Sequence, residues 1–224
     1  MDSHSQKRRG LIKTRNVKAP ATGETPKLRS VRSRLSEADD LARSVGARLK
    51  ALRIEGGFTL EELAARAGVS RAMLSKVERA EKSPTLAVFV RIAKGLDVSF
   101  STLMGGKVSG AKAEKITVAQ RLRFKDAESG FERSVLSPAH AGGRVELLQH
   151  RIPAGKSSGT LPAYKVPTEK YLVVQSGRLC VCLGRKKYNL NAGDAFYFNV
   201  DGSYRFDNPG STECTYYLTI IRKV

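Results

Sequence analysis

The chain has 224 residues, 41% of them hydrophobic, and 40 Lys and Arg against 21 Asp and Glu give it a formal charge of +19. That length suits two compact domains or one domain with a tail, and the charge makes a polyanion the first partner to consider. No apolar run reaches the roughly 18 residues of a membrane span, the charged, polar N-terminus is unlike a secretory signal, and Cys180, Cys182 and Cys214 form an odd set that fits a reducing cytoplasm better than a disulfide framework.

Residues 1–35 carry the basic run QKRRGLIKTRNVK together with Pro20, Gly23 and Pro26, and show neither a helical nor a strand period. They are expected to be a disordered basic tail. A basic arm that tracks DNA phosphates or enters a minor groove is one use for such a tail. A solvated segment that adds only nonspecific attraction is the simpler one. The charge is not confined to the tail: residues 1–40 hold +5, residues 41–104 hold +5 and residues 105–224 hold +9.

From Ser36 the spacing becomes helical. Ser36, followed by Glu37 and Asp39, reads as a cap with acids in the first turn, and Leu41, Val45, Leu49 and Leu52 recur on one face until Gly56 and Gly57. Thr59 caps a second helix, with Glu62 completing a capping box and Leu60, Leu63, Ala64 and Ala67 facing inward. Gly68 supplies the positive φ of a tight turn, and Ser70 caps a third helix. There Leu74 and Val77 point inward while Arg71, Ala72, Ser75 and Lys76 point out. After Pro84 a fourth helix holds Leu86, Phe89, Ile92, Ala93 and Leu96, and a short fifth holds Phe100 and Leu103. Residues 36–104 are therefore expected to form an all-α, five-helix domain.

The stretch LEELAARAGVSRAMLSKVE has the small-residue crossing, glycine turn and locked second helix of a helix-turn-helix. From Leu41 to Met104 the chain resembles the XRE-type, lambda-repressor-like DNA-binding domain, including Glu78-Arg79 and the Ser83-Pro84-Thr85-Leu86 approach to the fourth helix. The resemblance implies that the third helix enters the major groove of double-stranded operator DNA. Arg71 is then the best base reader, through a bidentate pair with guanine. Lys76 reaches a base or phosphate, Ala72 or Met73 touches a thymine methyl, and Ser75 is a weaker contact. The amides beside Thr59 and Ser70 suit phosphate, and Arg53, Arg79 and Lys82 are the expected phosphate-facing cations. Glu78 is expected to turn inward to an ion pair with Arg53 or Arg66.

Residues 105–115, with Gly105, Gly106, Gly110, Lys112 and Lys115, read as a flexible linker. Beyond it the period is two. RVELLQHRI, EKYLVVQSGRLCVCLG, KKYNL, DAFYFNV, YRFDN and ECTYYLTIIRKV are strand-like runs, predicting an all-β domain over 116–224. Its turns, LNAGD above all, resemble the cupin (jelly-roll) family. That resemblance places the family's metal-ligand positions on Tyr164, Val166, Lys170 and Tyr204, none of them a histidine, so no metal or other cofactor is expected. A one-residue shift would exchange Lys170 for Glu169 without supplying histidines. His4, His140 and His150 lie before the motif and are expected to be surface or packing residues. The cysteines read as buried, apolar-like thiols rather than a redox pair.

With no nucleophile or metal constellation, an enzyme is not expected. The predicted function is a cytoplasmic transcriptional regulator, a homodimer reading two half-sites, because one recognition helix reads too few bases. Its barrel is expected to hold a small anionic or polar effector among Tyr164, Val166, Lys170, Leu172 and Tyr204, with Lys170 as counter-charge. The alternatives are a barrel used only for dimerisation, a DNA-tethered cupin metalloenzyme, and a nonspecific binder driven by charge alone.

Overall fold

The computed structural model describes residues 26–106, 113–139 and 144–223, with side chains from Asp40 onward. Of the expected tail over residues 1–35, residues 1–25 lie outside the described residues and residues 26–35 are helical rather than irregular; the middle of the expected linker, His4 and His140 also lie outside the described residues. Helix α1 (Pro26–Glu55) begins earlier than expected, so Ser36 sits inside it and is not its cap. After Pro26 no glycine or proline interrupts the run until Gly46, and Lys, Leu and Arg are good helix formers.

The helices that follow match the expected boundaries: α2 (Leu60–Ala67), α3 (Arg71–Glu78), α4 (Leu86–Leu96) and α5 (Phe100–Leu103). Thr59 and Glu62 form the reciprocal capping box, and Gly68 closes α2 at φ 63°, where a side chain would be strained. Leu49, Leu63, Leu74, Leu86, Phe89, Ile92 and Leu103 meet in one core, each nearly inaccessible to solvent. Helices α1 and α3 cross closely at Gly46. A Cβ there would stand 2.6 Å from the Val77 carbonyl oxygen and 2.7 Å from that of Glu78. Gly46→Ala should therefore cost roughly 1–3 kcal/mol in urea unfolding, as overpacking does; an unchanged midpoint would mean that the crossing opens freely.

The β domain pairs its strands antiparallel in a six-stranded sheet, ordered β1-β2-β3-β9-β4-β7, and a three-stranded sheet, β6-β5-β8. The expected runs appear as β3 (Val145–Ile152), β4 (Thr168–Ser176), β5 (Arg178–Leu183), β6 (Lys186–Asn191), β7 (Ala195–Asn199), β8 (Tyr204–Asp207) and β9 (Cys214–Arg222). The edge pair β1 (Arg123–Lys125) and β2 (Glu132–Val135) was not expected, because two of the four β2 residues are charged. Gly177 separates β4 from β5 at φ 79°, and any Cβ would meet the Glu213 carbonyl at 2.6 Å. The LNAGD turn carries the chain from β6 of the three-stranded sheet to β7 of the six-stranded one, with Gly193 at φ 92° and the Asn191 amide donating to Asp194 Oδ2 at 2.7 Å.

The helices pack directly on the sheets. Phe89 and Phe100 meet Phe124 of β1 with ring centroids 5.2 and 5.8 Å apart. Buried Asp126 accepts the Leu86 amide at 2.8 Å, so a β-domain carboxylate satisfies the start of α4. Buried Glu146 of β3 accepts from the Ser101 amide at 3.2 Å and its hydroxyl at 2.6 Å.

Candidate nucleic-acid interface and junction cavity

Helix α3 presents a polar row on an exposed face. Ser70 caps it by accepting the Met73 amide at 3.1 Å, Leu74 and Val77 anchor it, and Arg71, Ala72 and Lys76 are exposed, with Ser75 half-buried. Arg71 forms an exposed ion pair with Glu61 of α2. Arg79 reaches Ser75 and pairs with Glu81 at 2.5 Å, while Lys82 is exposed beside them. These pairs are exchangeable on the surface.

Two expected contacts are placed differently. Arg53 is drawn inward: Nε and Nη2 donate to the two Glu78 carboxylate oxygens at 2.7 and 3.1 Å, and Nη1 donates to the Phe58 carbonyl at 2.9 Å. Their side chains are only 12% and 6% exposed, so swinging the Arg53 guanidinium out to a phosphate would break the pair. Glu78 thus chooses Arg53 over Arg66, which instead donates to the Gly95 carbonyl and covers the Phe58 ring. At Thr59 the backbone amide already donates to Glu62 Oε2 at 2.7 Å, and Glu61 and Glu62 put carboxylates in the same turn. That turn is less suited to a phosphate than the Ser70 end of α3, whose first turn has no acid.

In the β domain, Lys170 points inward and is fully buried, while its neighbour Glu169 faces outward to Lys223. Lys170 Nζ donates to the Tyr204 hydroxyl and lies 3.9 Å from that ring's centre and 5.3 Å from that of Tyr164. Burial, with the charges of Arg133 and Arg222, holds its amine well below its ordinary pKa. Burial likewise pushes the Tyr204 phenol well up. The expected counter-charge for an anionic effector is therefore an amine sealed among rings, whose charged form is disfavoured by burial and by two neighbouring guanidinium groups. Leu172 is packed in the same core.

His150 belongs to this interior too, as a packing residue. Its Nε2 accepts from Arg133 Nε at 2.9 Å and its Nδ1 lies 2.8 Å from the Tyr216 hydroxyl. Burial and the neighbouring Arg133 and Lys170 push it well below the usual imidazole range. Cys180, Cys182 and Cys214 are free and buried, and burial raises the Cys182 and Cys214 thiols to about 11. Among the described residues no three His, Cys, Asp or Glu gather as metal ligands.

A cavity of about 300 Å³ opens elsewhere, where α4 and α5 meet the β domain. Of the residues expected to hold an effector it is lined by Tyr164 and Val166, and not by Lys170, Leu172 or Tyr204. Its polar wall contains Arg133 of β2, Glu146 of β3 and Arg222 of β9; the last two pair at 2.8 Å. Burial pushes the Glu146 carboxyl up, but the Arg222 charge and the Ser101 hydrogen bonds outweigh it and hold the group below its usual range. Arg133 was overlooked in the sequence although the signal was there: it sits between buried Phe131 and Val135 on the inward positions of a period-two run.

The chain matches family models described as helix-turn-helix over residues 49–103 and cupin domain over residues 150–221. It is 31% identical over 172 residues to the HTH-type transcriptional regulator SutR of Escherichia coli (strain K12), covering 77% of this chain and 91% of that protein. Over 64 residues, 28% of this chain and 58% of the relative, it is 39% identical to the HTH-type transcriptional regulator SinR of Bacillus licheniformis. A crystal structure of a helix-turn-helix family transcriptional regulator from Vibrio cholerae shares its fold at TM-score 0.69 and 21% identity, covering 83% of this chain and 99% of that one.

Proposed function

The chain belongs to the family of helix-turn-helix transcriptional regulators with a C-terminal cupin domain, and from that premise we propose that it is a cytoplasmic, homodimeric, sequence-specific DNA-binding protein, not an enzyme, whose operator affinity responds to a small effector. The observation that carries the reading is the outward row of exposed Arg71, Ala72 and Lys76 and half-buried Ser75 on a helix locked from behind by Leu74 and Val77. Arg71 reads a guanine, Lys76 a base or phosphate, and Arg79 and Lys82 hold phosphates beside it. No helix among the described residues is long and apolar enough to cross a membrane.

Binding of Arg71→Ala and Arg79→Ala to the DNA upstream of the protein's own gene, against base-substituted and random duplexes, tests this. Arg71→Ala should lose about 1–3 kcal/mol of discrimination at one base position per half-site. Arg79→Ala should weaken every sequence alike and flatten the salt slope by about one unit. Identical profiles for the two variants would remove the assignment, and equal wild-type affinity for random DNA would leave only a charge-driven binder.

The dimer contact fits the outer face of the six-stranded sheet. There Val173 pairs in register with Tyr217, and Tyr171 with Tyr197, whose ring centroid lies 4.8 Å away. Val173, Tyr171 and Tyr197 are 45–47% exposed, and the charges around them are internally paired, Arg151 with Glu213 and Glu169 with Lys223. On a chain of +19, a nearly neutral apolar face is where two copies can meet without repulsion. Val173→Lys places a charge twice in such a two-fold contact. It should weaken dimerisation at least about tenfold in analytical ultracentrifugation, roughly 1.4 kcal/mol, with operator affinity falling in step. An unaffected dimer would move the contact elsewhere.

A further inference from the structure

The junction cavity contains a buried cation that no described residue neutralises. Arg133 is only 2% exposed and lines the cavity. Its Nε is used by His150, and its guanidinium carbon lies 4.4 Å from the centre of the Phe100 ring. Its two terminal nitrogens have no hydrogen-bond partner among the described residues, and no carboxylate among them pairs with it. Unpaired buried guanidinium nitrogens are costly, and Arg133 is not sealed in packed side chains but lines the cavity wall. The described groups around Arg133 do not supply the missing charge: Asp97, the other carboxylate on the cavity wall, is exposed and makes no ion pair with it. His150 is held neutral, and Glu146 is engaged by Arg222 and Ser101.

The rest of the wall is apolar on one side. Val90, Ala93 and Val98 come from α4 and the turn after it, and Tyr164 from the β domain. A single unpaired fork of two N–H groups matches a carboxylate in charge and geometry. Because Arg222 is already balanced by Glu146, and Lys94 and Lys165 on the wall keep solvent contact, a doubly charged oxyanion would find one buried charge too few. We propose that this cavity binds a small monocarboxylate, its carboxylate on Arg133 and its apolar body against Val90 and Val98.

This site deepens the regulator reading and rests on it for its purpose, since one ligand would touch both the helices that support α3 and the β domain. A ligand that grips this junction differently in the free and DNA-bound forms shifts operator affinity by its differential binding. The ligand takes the place of the effector expected inside the barrel.

The test uses the full chain, with thermal unfolding in the presence of benzoate, isovalerate and their neutral amides, and with sodium phosphate, sodium sulfate and sodium chloride at matched ionic strength. At least one carboxylate should raise Tm by a few degrees where its amide and the inorganic anions do not. Arg133→Gln should weaken that carboxylate's apparent Kd at least tenfold. Val98→Phe, which fills the cavity and leaves Arg133 in place, should do the same if Arg133→Gln folds poorly. No shift from either carboxylate up to about 10 mM, equal shifts with amides or inorganic anions, or shifts indifferent to both variants would overturn the site. Operator binding is measured separately on the same samples. Arg133-dependent carboxylate binding without operator recognition removes the regulator reading and leaves the site; operator recognition without it removes the site and leaves the regulator.

Discussion

Arg53→Ala should destabilise the protein by about 3–5 kcal/mol, the range for removing one partner of a buried ion pair. The loss is large because Glu78 would be left at 6% side-chain exposure with no bidentate partner, and the Phe58 carbonyl would lose its donor. The pair also ties α1 to the end of α3, so the recognition helix would fray at its C-terminal turn. Arg53→Met combined with Glu78→Met should recover most of the loss, since replacing both charges removes the desolvation penalty with the attraction. Arg79→Ala, which breaks a pair whose members are 55% and 50% exposed and screened by solvent, should cost far less than Arg53→Ala. Urea unfolding of the four proteins measures all of this. Equal losses for Arg53→Ala and Arg79→Ala would mean that the inward pair is not an anchor.

Lys170→Met should abolish a rise in stability with pH. The Lys170 amine titrates well below its ordinary 10.5 in the folded chain, through burial first and then the charges of Arg133 and Arg222. Between those two pKa values the unfolded chain binds more protons than the folded one, so stability grows as pH rises and is lost as pH falls through the folded value. The gain is at most about 1.4 kcal/mol per pH unit. His150 has the same sign below pH 6.5, its imidazole being depressed chiefly by burial. Cys182 and Cys214 have the opposite sign, because their thiols are raised from 9.0 to about 11 and stability falls as pH rises through that window. The Lys170 contribution is therefore read between pH 7 and 9. Across it the wild type should gain in urea unfolding while Lys170→Met stays flat, the variant being at least as stable at pH 7 despite losing the bond to Tyr204. Parallel profiles would mean that Lys170 is charged in the fold.

The helix-turn-helix was legible in the sequence because each of its signals is local. Thr59 with Glu62, Ser70 with Met73, and Gly68 in its left-handed turn each act within a few residues, and the inward face of α2 and α3 repeats at the helical period. Strands β3 to β9 were legible for the same reason: side chains alternate across a sheet whatever the sheet packs against. The start of α1 was missed, since a capping sequence at Ser36 can equally lie within a longer helix. Sequence also placed Lys170 inside the barrel, but not its state of charge, which depends on Arg133, Arg222, Tyr164 and Tyr204 arriving from other strands and loops. The partner of Glu78 was undecided between two arginines until α1 crossed α3. The junction was decided by tertiary structure alone: Asp126 on the Leu86 amide, Glu146 on Ser101 and Arg133 over Phe100 join residues more than thirty positions apart. Electrostatic free energies depend on distance and burial rather than on order along the chain, so periodicity could show which way Arg133 faces and only packing could leave it without a counter-charge.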